Sequence, residues 1–166
     1  MPAPEFAPTA VASAAFEVPA AAVWAFRLDF ANLPDYNPDV SGVERITEGA
    51  GVGGASGVGA RYRFELADAR RPWKSNRVEL WAVDAVEPTL VSAAMVGGHE
   101  AYEEFVVTPL DGDRCEATLT LWVTLPAGLP PETVEAAASG ALGQIRRELD
   151  LMVQVLEERA GGPSVH

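Results

Sequence analysis

The sequence is poor in the residues that most enzymes use for metal binding or nucleophilic catalysis. It contains one cysteine, Cys115, and two histidines, His99 and His166. A single cysteine cannot form an intrachain disulfide, and its place in an apolar, alternating segment indicates an inert packing role. The chain has no HExxH, GxSxG or paired CxxC motif. The sequence therefore gives no support for a zinc site or for a serine hydrolase.

Basic residues and long apolar runs are also scarce. Lys and Arg together number 12 against 24 Asp and Glu, which gives a formal net charge of -12. Such a charge repels nucleic-acid phosphates and anionic bilayers over most of the surface. No apolar run approaches the roughly 20 residues that a membrane-spanning helix needs. We therefore expect no nucleic-acid partner and no stable membrane insertion.

Two short patterns imitate ligand sites but lack the required geometry. Gly51, Gly53 and Gly57 resemble a dinucleotide-binding loop. Such a loop must be followed by the N-terminus of a helix, whereas the residues that follow here are strand-like. His99 and Glu103 have the spacing of metal ligands on a helix, but on a strand they would lie about 13 Å apart. We therefore expect neither a cofactor nor a metal.

The length of 166 residues is typical of one domain. We place this domain at residues 11–160, between flexible tails at 1–10 and 161–166. The opening residues MPAPEFAPTA have neither the basic nor the apolar segment of a secretion signal. Together with the lone cysteine, this predicts a cytoplasmic protein. The sequence leaves the oligomeric state open, and a homodimer is compatible with it.

A long amphipathic segment at 133–159 dominates the C-terminal part of the chain. Its apolar residues recur at spacings of three and four, which places them on one stripe of a helix. Pro130 and Pro131 suit the first turn, and Gly161 suits the end. Such a helix is about 40 Å long, so the preceding chain must cover its apolar stripe. The stripe consists of Val134, Ala138, Ala141, Leu142, Ile145, Leu149, Met152 and Leu156.

The preceding chain is predicted to cover the helix with an antiparallel sheet. A strand at 11–18 is followed by short helices at 19–29 and 31–36, after which the apolar period changes to two. Short connections between the later strands favour a meander. The predicted fold class is α+β, with a seven-stranded antiparallel curved sheet around a long C-terminal helix and two short helices after the first strand. The six later strands are expected at 40–48, 58–67, 73–86, 90–96, 100–110 and 114–125.

Several segments carry a family resemblance. Within residues 11–159 they are VPAAAVWAFRLDFANLPDYNPDV, GVGARYRF, VDAVEP, YEEFVVTPLDGDRCEATL and IRRELDLMVQVLEE. In this order, they resemble the START-like helix-grip superfamily (SRPBCC), particularly its bacterial polyketide cyclase/dehydrase and lipid-transport group. The resemblance implies a helix-grip fold with a ligand cavity. One difference is Tyr36, where the family usually has tryptophan before Asn-Pro.

The order of the strands also indicates where a cavity would lie. In a meander, the turns at 68–72, 97–100 and 126–131 share one end of the sheet with residues 36–40. The first half of the long helix is expected over that end and carries small residues at 136–143. Small side chains leave room for a cavity, although they also permit close packing of the helix on the sheet.

The expected ligand-binding residues are those at strand positions that alternation turns toward the helix, together with residues of the helix that face the sheet. Tyr36 is expected at the entrance. For each residue alone, packing in the core is the more common explanation. The set comprises Tyr36, Tyr62, Phe64, Trp73, Trp81, Met95, Phe105, Leu119, Leu121, Leu142 and Ile145.

Strand 73–86 is ambiguous. Val78 and Leu80 have one parity, and Arg77, Glu79 and Trp81 have the other. If the second group faces inward, Arg77 and Glu79 give the cavity polar anchors, and the buried pair would need mutual hydrogen bonds.

A basic group lies at the same predicted mouth. Arg70, Arg71, Trp73 and Lys74 form an island on an otherwise acidic protein. This island either attracts an anionic ligand or is an ordinary solvated loop.

The resemblance implies binding of a hydrophobic small molecule, such as a polyketide, isoprenoid or lipid-like compound, for transport or sequestration. The alternative is a polyketide cyclase/dehydratase-type enzyme, in which Arg77, His99, Glu103 or Tyr62 moves protons during aldol cyclisation and water loss. An enzyme needs a titratable group that faces the cavity, whereas a carrier does not. A third hypothesis is a partner-binding adaptor whose interior is filled.

Overall fold

The structure is a computed structural model that describes residues 7–46, 58, 60–68, 71–96 and 99–161. The glycine-rich loop at 49–57, Arg70 and most of the two predicted tails lie outside the described residues. The side chains of Arg71 and Lys74 lie outside them as well. None of the described helices combines the length and the apolar character that are needed to cross a membrane.

A seven-stranded antiparallel sheet forms the body of the molecule. Its spatial order is β1-β7-β6-β5-β4-β3-β2, so strands β2 to β7 form a meander and β1 pairs with β7. This confirms the predicted antiparallel sheet, with strand ends that differ from the prediction by a few residues. The strands are β1 Ala10–Phe16, β2 Val40–Arg45, β3 Arg61–Asp68, β4 Arg71–Val86, β5 Thr89–Val96, β6 His99–Pro109 and β7 Cys115–Val123.

The two faces of strand β4 have different surroundings. Val78, Leu80 and Ala82 are buried beneath the helices. The opposite face carries two ion pairs between β4 and β3. Arg77 Nε lies 3.3 Å from Glu65 Oε1, and Arg63 Nη2 lies 3.3 Å from Glu79 Oε1. The covered side of β4 is therefore apolar, and Arg77 cannot serve as an anchor beneath the helix.

Two short helices follow β1. Pro19 precedes helix α1 (Ala20–Leu28). The predicted second helix divides into a 3-10 turn at Phe30–Asn32 and helix α2 at Leu33–Tyr36. Pro34 in the first turn of α2 has no amide hydrogen to extend the preceding turn, which accounts for the division. The Asp29 carboxylate accepts a hydrogen bond from the Ala31 amide and so caps the 3-10 turn.

Helix α3 (Pro131–Ala160) lies against the sheet and against α2. Its second half fills the core, where Ile145, Leu149 and Met152 are at most 1% exposed. Full burial of each such side chain contributes about 1.5–3 kcal/mol. The first half differs, since residues 131–136 are exposed and Val134 is 42% exposed. The apolar stripe therefore holds the sheet through its C-terminal part.

Candidate functional site

A cavity of about 220 Å³ lies between the sheet, α3 and the segment around α2. Its apolar lining consists of Leu33, Phe64, Leu66, Val78, Leu80, Ala93, Ala94, Val96, Ala101, Leu121 and Val123. Its polar lining consists of Arg27, Asn37, Ser92, His99, Glu103, Gln144 and Glu148.

Small side chains on the central strands make room for the cavity. Ala94 on β5 lies between Leu80 of β4 and Ala101 of β6 in the register of the sheet. Two adjacent alanines leave a depression beside the larger side chains of Val78 and Leu80, which also line the cavity. The exposed His99 is the first residue of β6 and lines the cavity, so the cavity reaches the end of the sheet at which β6 begins, as predicted from the meander.

The helix covers the cavity with its middle turns. Gln144 and Glu148 line the cavity, whereas no residue of the alanine-rich segment at 131–143 is among the described lining residues. The expectation that this segment covers the cavity is therefore wrong. Small side chains bury little apolar area, and the segment remains mostly exposed to solvent.

A buried arginine, Arg27, lies at the centre of the polar wall of the cavity. We use this name for the lining residues Arg27, Asn37, Glu103 and Glu148. Arg27 on α1 is 2% exposed and donates hydrogen bonds to the Tyr36 hydroxyl and to the Glu103 carboxylate. Its guanidinium carbon also lies 5.2 Å from the ring centre of Tyr36 and 5.4 Å from that of Phe105. Burial opposes the charge of Arg27, but Tyr36 and Glu103 outweigh it and raise the arginine pKa. Arg27 is thus a fixed cation held by two partners.

Glu148 on α3 is the second buried ionisable group of this wall. Asn37 Nδ2 lies 3.4 Å from Glu148 Oε1, while Asn37 Oδ1 accepts a hydrogen bond of 3.1 Å from the Asp39 amide. Burial, together with the negative charge of Glu103, raises the pKa of Glu148 to about 8, although Arg27 opposes the rise. The carboxyl group is therefore largely protonated at neutral pH.

Two atoms of this cluster have no hydrogen-bond partner among the described residues. They are Glu148 Oε2 and Arg27 Nε, and both are buried. A buried polar atom without a partner is costly, so hydrogen-bonding capacity remains unused in two residues that line the cavity. Among the described residues, including this cluster, no three His, Cys, Asp or Glu side chains are grouped as metal ligands would be.

The structure places four of the predicted site residues in the cavity wall. Phe64 and Leu121 form part of the apolar lining, and His99 and Glu103 form part of the polar lining. Tyr36 is fully buried and is not among the described lining residues, but its hydroxyl group accepts a hydrogen bond from Arg27, which lines the cavity.

The other predicted residues lie outside the described lining. Core packing accounts for Tyr62, Phe105, Leu119 and Ile145, each at most 2% exposed, and Tyr62 makes an edge contact with Phe30. Met95 and Leu142 are half-buried.

On the outer side, Trp73 is 83% exposed, and Trp81 lies under the guanidinium of Arg61 at 4.3 Å. Arg77 is ion-paired on that same face.

The predicted ligand-binding set contains neither Arg27 nor Glu148, because it follows only the apolar residues of each helix. Arg27 lies four residues after Val23, which is fully buried. Glu148 lies three residues after Ile145 and four before Met152, so it shares their face. A charged residue at a buried position of the helical period was therefore a readable signal for both.

The fold is similar to those of several solved structures. A START superfamily protein from Mycobacterium smegmatis has a TM-score of 0.69 and 18% identity, over 88% of this chain and 97% of that one. The Zhui aromatase/cyclase from Streptomyces sp. R1128 has a TM-score of 0.72 and 18% identity, over 94% and 97%. The di-domain ARO/CYC BexL from the BE-7585A biosynthetic pathway has a TM-score of 0.69 and 16% identity, over 93% of this chain and 47% of that one. At these identities, the similarity shows the fold.

Sequence comparison gives the family. No curated protein matches the sequence significantly. The family model described as polyketide cyclase/dehydrase and lipid transport matches residues 7–157, which is nearly the whole chain. This confirms the resemblance found in the sequence: the chain belongs to the polyketide cyclase/dehydrase and lipid-transport family, and its fold is the helix-grip fold that the resemblance implied.

Proposed function

We propose that this protein binds a hydrophobic small molecule in the cavity between the sheet and α3, and transports or sequesters it. The observation that carries the proposal is a largely apolar cavity with one polar wall, a combination typical of small-molecule sites. The ligand class is a polyketide, an isoprenoid or a lipid-like compound. The cytoplasmic location and the homodimer remain predictions.

The apolar lining supplies the driving force in this proposal. Removing apolar ligand surface from water yields about 25 cal/mol per Å², and the polar wall then orients the ligand. The cavity is smaller than the roughly 300–1,000 Å³ of drug-sized pockets. It therefore suits a compact ligand or one end of a longer chain.

Native mass spectrometry of the freshly purified protein tests this proposal, followed by extraction of any molecule that travels with it. A recurrent hydrophobic adduct is expected. The variant Ala101→Leu places a larger side chain in the cavity floor and should lose the adduct. Ala15→Leu changes an exposed sheet position outside the cavity and should keep it. A wild-type protein without any adduct, which also fails to bind added hydrophobic probes, would contradict the proposal.

A second candidate function is a cyclase or dehydratase-type reaction. The observation that favours it is the presence of titratable side chains in the cavity wall, namely those of His99, Glu103 and Glu148. In an aldol step, a base takes a proton from the α-carbon, a C–C bond forms to a ketone carbon, and the ketone oxygen gains a proton. Loss of that hydroxyl group with another α-proton releases water.

The enzyme hypothesis is tested by turnover of a poly-β-ketone analogue. Replacement of His99 by Ala should abolish turnover if this side chain moves a proton at the mouth. Arg77→Ala is the matched control, because Arg77 is ion-paired on the outer face. Bound but unconverted analogue would support the carrier, whereas equal loss in both variants would contradict the assigned role of His99.

A further inference from the structure

The hydrogen bonds of the polar wall fix the orientation of the Glu148 carboxyl group. The Asp39 amide donates to Asn37 Oδ1, so the other end of the Asn37 side chain, Nδ2, must face Glu148. Glu148 Oε1 therefore accepts a hydrogen bond from Asn37. The proton of the neutral carboxyl group then resides on Oε2, the buried atom that has no partner among the described residues.

The charges of the same wall are already balanced. The Arg27 cation contacts the Glu103 carboxylate, and its other terminal nitrogen donates to the Tyr36 hydroxyl. A carboxylate ligand at this wall would add a buried negative charge beside Glu103 and Glu148, at a high desolvation cost. An uncharged ligand avoids that cost.

We propose that the Glu148 carboxyl group turns Oε2 toward the cavity that this residue lines and donates a hydrogen bond to the carbonyl or equivalent oxygen of an uncharged ligand, and that the cavity rejects a carboxylate of the same shape. This inference rests on the proposed function, and it narrows the ligand to ketones, aldehydes, esters and related neutral compounds. It applies to a carrier and to an enzyme alike, because either must first accept the ligand.

Binding should depend on pH through the same group. The pKa of Glu148 is raised to about 8 by burial and by Glu103, while Arg27, the hydrogen bond from Asn37 and Arg147 act in the opposite direction. The uncharged Asn37 and Tyr36 complete the surroundings from the α2 side, and His99 lies at the mouth. Above pH 8 the ionised carboxylate repels a ligand oxygen instead of donating to it.

Three naphthalenes of nearly identical shape separate hydrogen bonding from charge. The probes are 2-acetylnaphthalene, 2-ethylnaphthalene and 2-naphthoate, and calorimetric titration at pH 7 gives their affinities. The ketone should bind about threefold to tenfold tighter than the ethyl compound, which has no acceptor. The naphthoate should bind at least about tenfold weaker than the ketone.

Two variants assign the effect to Glu148. Glu148→Gln keeps a donor that does not titrate, so it should retain the preference for the ketone and hold it up to pH 9. Glu148→Leu should bind the ketone and the ethyl compound equally. Glu135→Gln, at an exposed position of the same helix, should behave like the wild type.

The outcomes separate this inference from the proposed function. Equal binding of all three probes by the wild type, or a preference for the naphthoate, would overturn the inference while the proposed function stands. Failure of every probe to bind would overturn the inference, and it would overturn the proposed function as well if the purified protein also carries no hydrophobic adduct. If Glu148→Leu does not fold, the wild-type probe series and its loss of the ketone preference above pH 8 still decide the question.

Discussion

Replacement of Glu148 by Gln should change how the stability of this protein depends on pH. The pKa of Glu148 is raised in the folded state from its ordinary value of 4.5 to about 8. The folded state binds this proton more tightly than the unfolded state does. Proton binding by Glu148 therefore adds to the free energy of unfolding, fully below pH 4.5, and this contribution is lost as the pH rises to 8. At about 1.4 kcal/mol per pH unit, the interval sets an upper limit of roughly 5 kcal/mol. That is a large share of the stability of a typical domain.

Urea unfolding at pH 5, 6, 7 and 8 measures the effect as a difference between two proteins. The glutamine of the Glu148→Gln variant cannot ionise. The free energy of unfolding of this variant, minus that of the wild type, should therefore increase steadily from pH 5 to pH 8. Other carboxyl groups titrate in both proteins and cancel in the difference. The control Glu135→Gln should follow the wild type. Parallel curves for Glu148→Gln and the wild type would show that the buried carboxyl group is ionised at neutral pH, and would refute the reasoning.

Three further substitutions separate buried from exposed interactions, and urea unfolding at pH 7 measures each. Glu103→Gln should lower the free energy of unfolding by about 3 kcal/mol, because buried Arg27 loses its carboxylate partner. Met152→Ala removes a fully buried side chain and should cost about 2–5 kcal/mol. Arg77→Ala should change stability by less than about 0.5 kcal/mol, since its side chain is 69% exposed. A larger loss for Arg77→Ala than for Glu103→Gln would contradict the placement of the two ion pairs.

The fold could be predicted because two periods are clear in the sequence. Residues 115–121 alternate between apolar and polar positions, and β7 contains that range as Cys115–Val123. The period of three and four at 133–159 likewise predicted α3, which the structure gives as Pro131–Ala160. Both periods reflect burial of one face against a neighbouring layer, which the sequence records directly.

Strand β4 shows where alternation becomes insufficient. Its outward positions include Trp81, and an outward tryptophan imitates an inward one in the sequence. The register also shifts between Ala82 and Asp84, so alternation changes along the strand. Trp81 is stabilised on the outer face by the guanidinium of Arg61, which comes from the neighbouring strand β3. Such a pairing depends on strand register, which a single segment does not determine.

The contacts within the polar wall could not be predicted from the sequence for a related reason. Arg27 and Glu103 are 76 positions apart, and nothing local in either segment indicates that they meet. Helical periodicity could have placed Arg27 and Glu148 on buried faces, but it could not have supplied their partners. The contact arises only when α1 and β6 are brought together by the closed arrangement of sheet and helices.

The location of this cluster bears on why the protein retains it. Buried ion pairs are weak evidence for stability, since apolar groups of similar volume often stabilise a core as well or better. Here the charged and protonated groups lie at the wall of the cavity, whereas the interior beneath the second half of α3 is filled by Leu149, Met152 and Leu156. The fold thus concentrates its costly polar groups where a ligand would meet them. That distribution is expected of a binding site and not of an adaptor with a filled interior, because an adaptor gains nothing from a buried carboxyl group with a free oxygen.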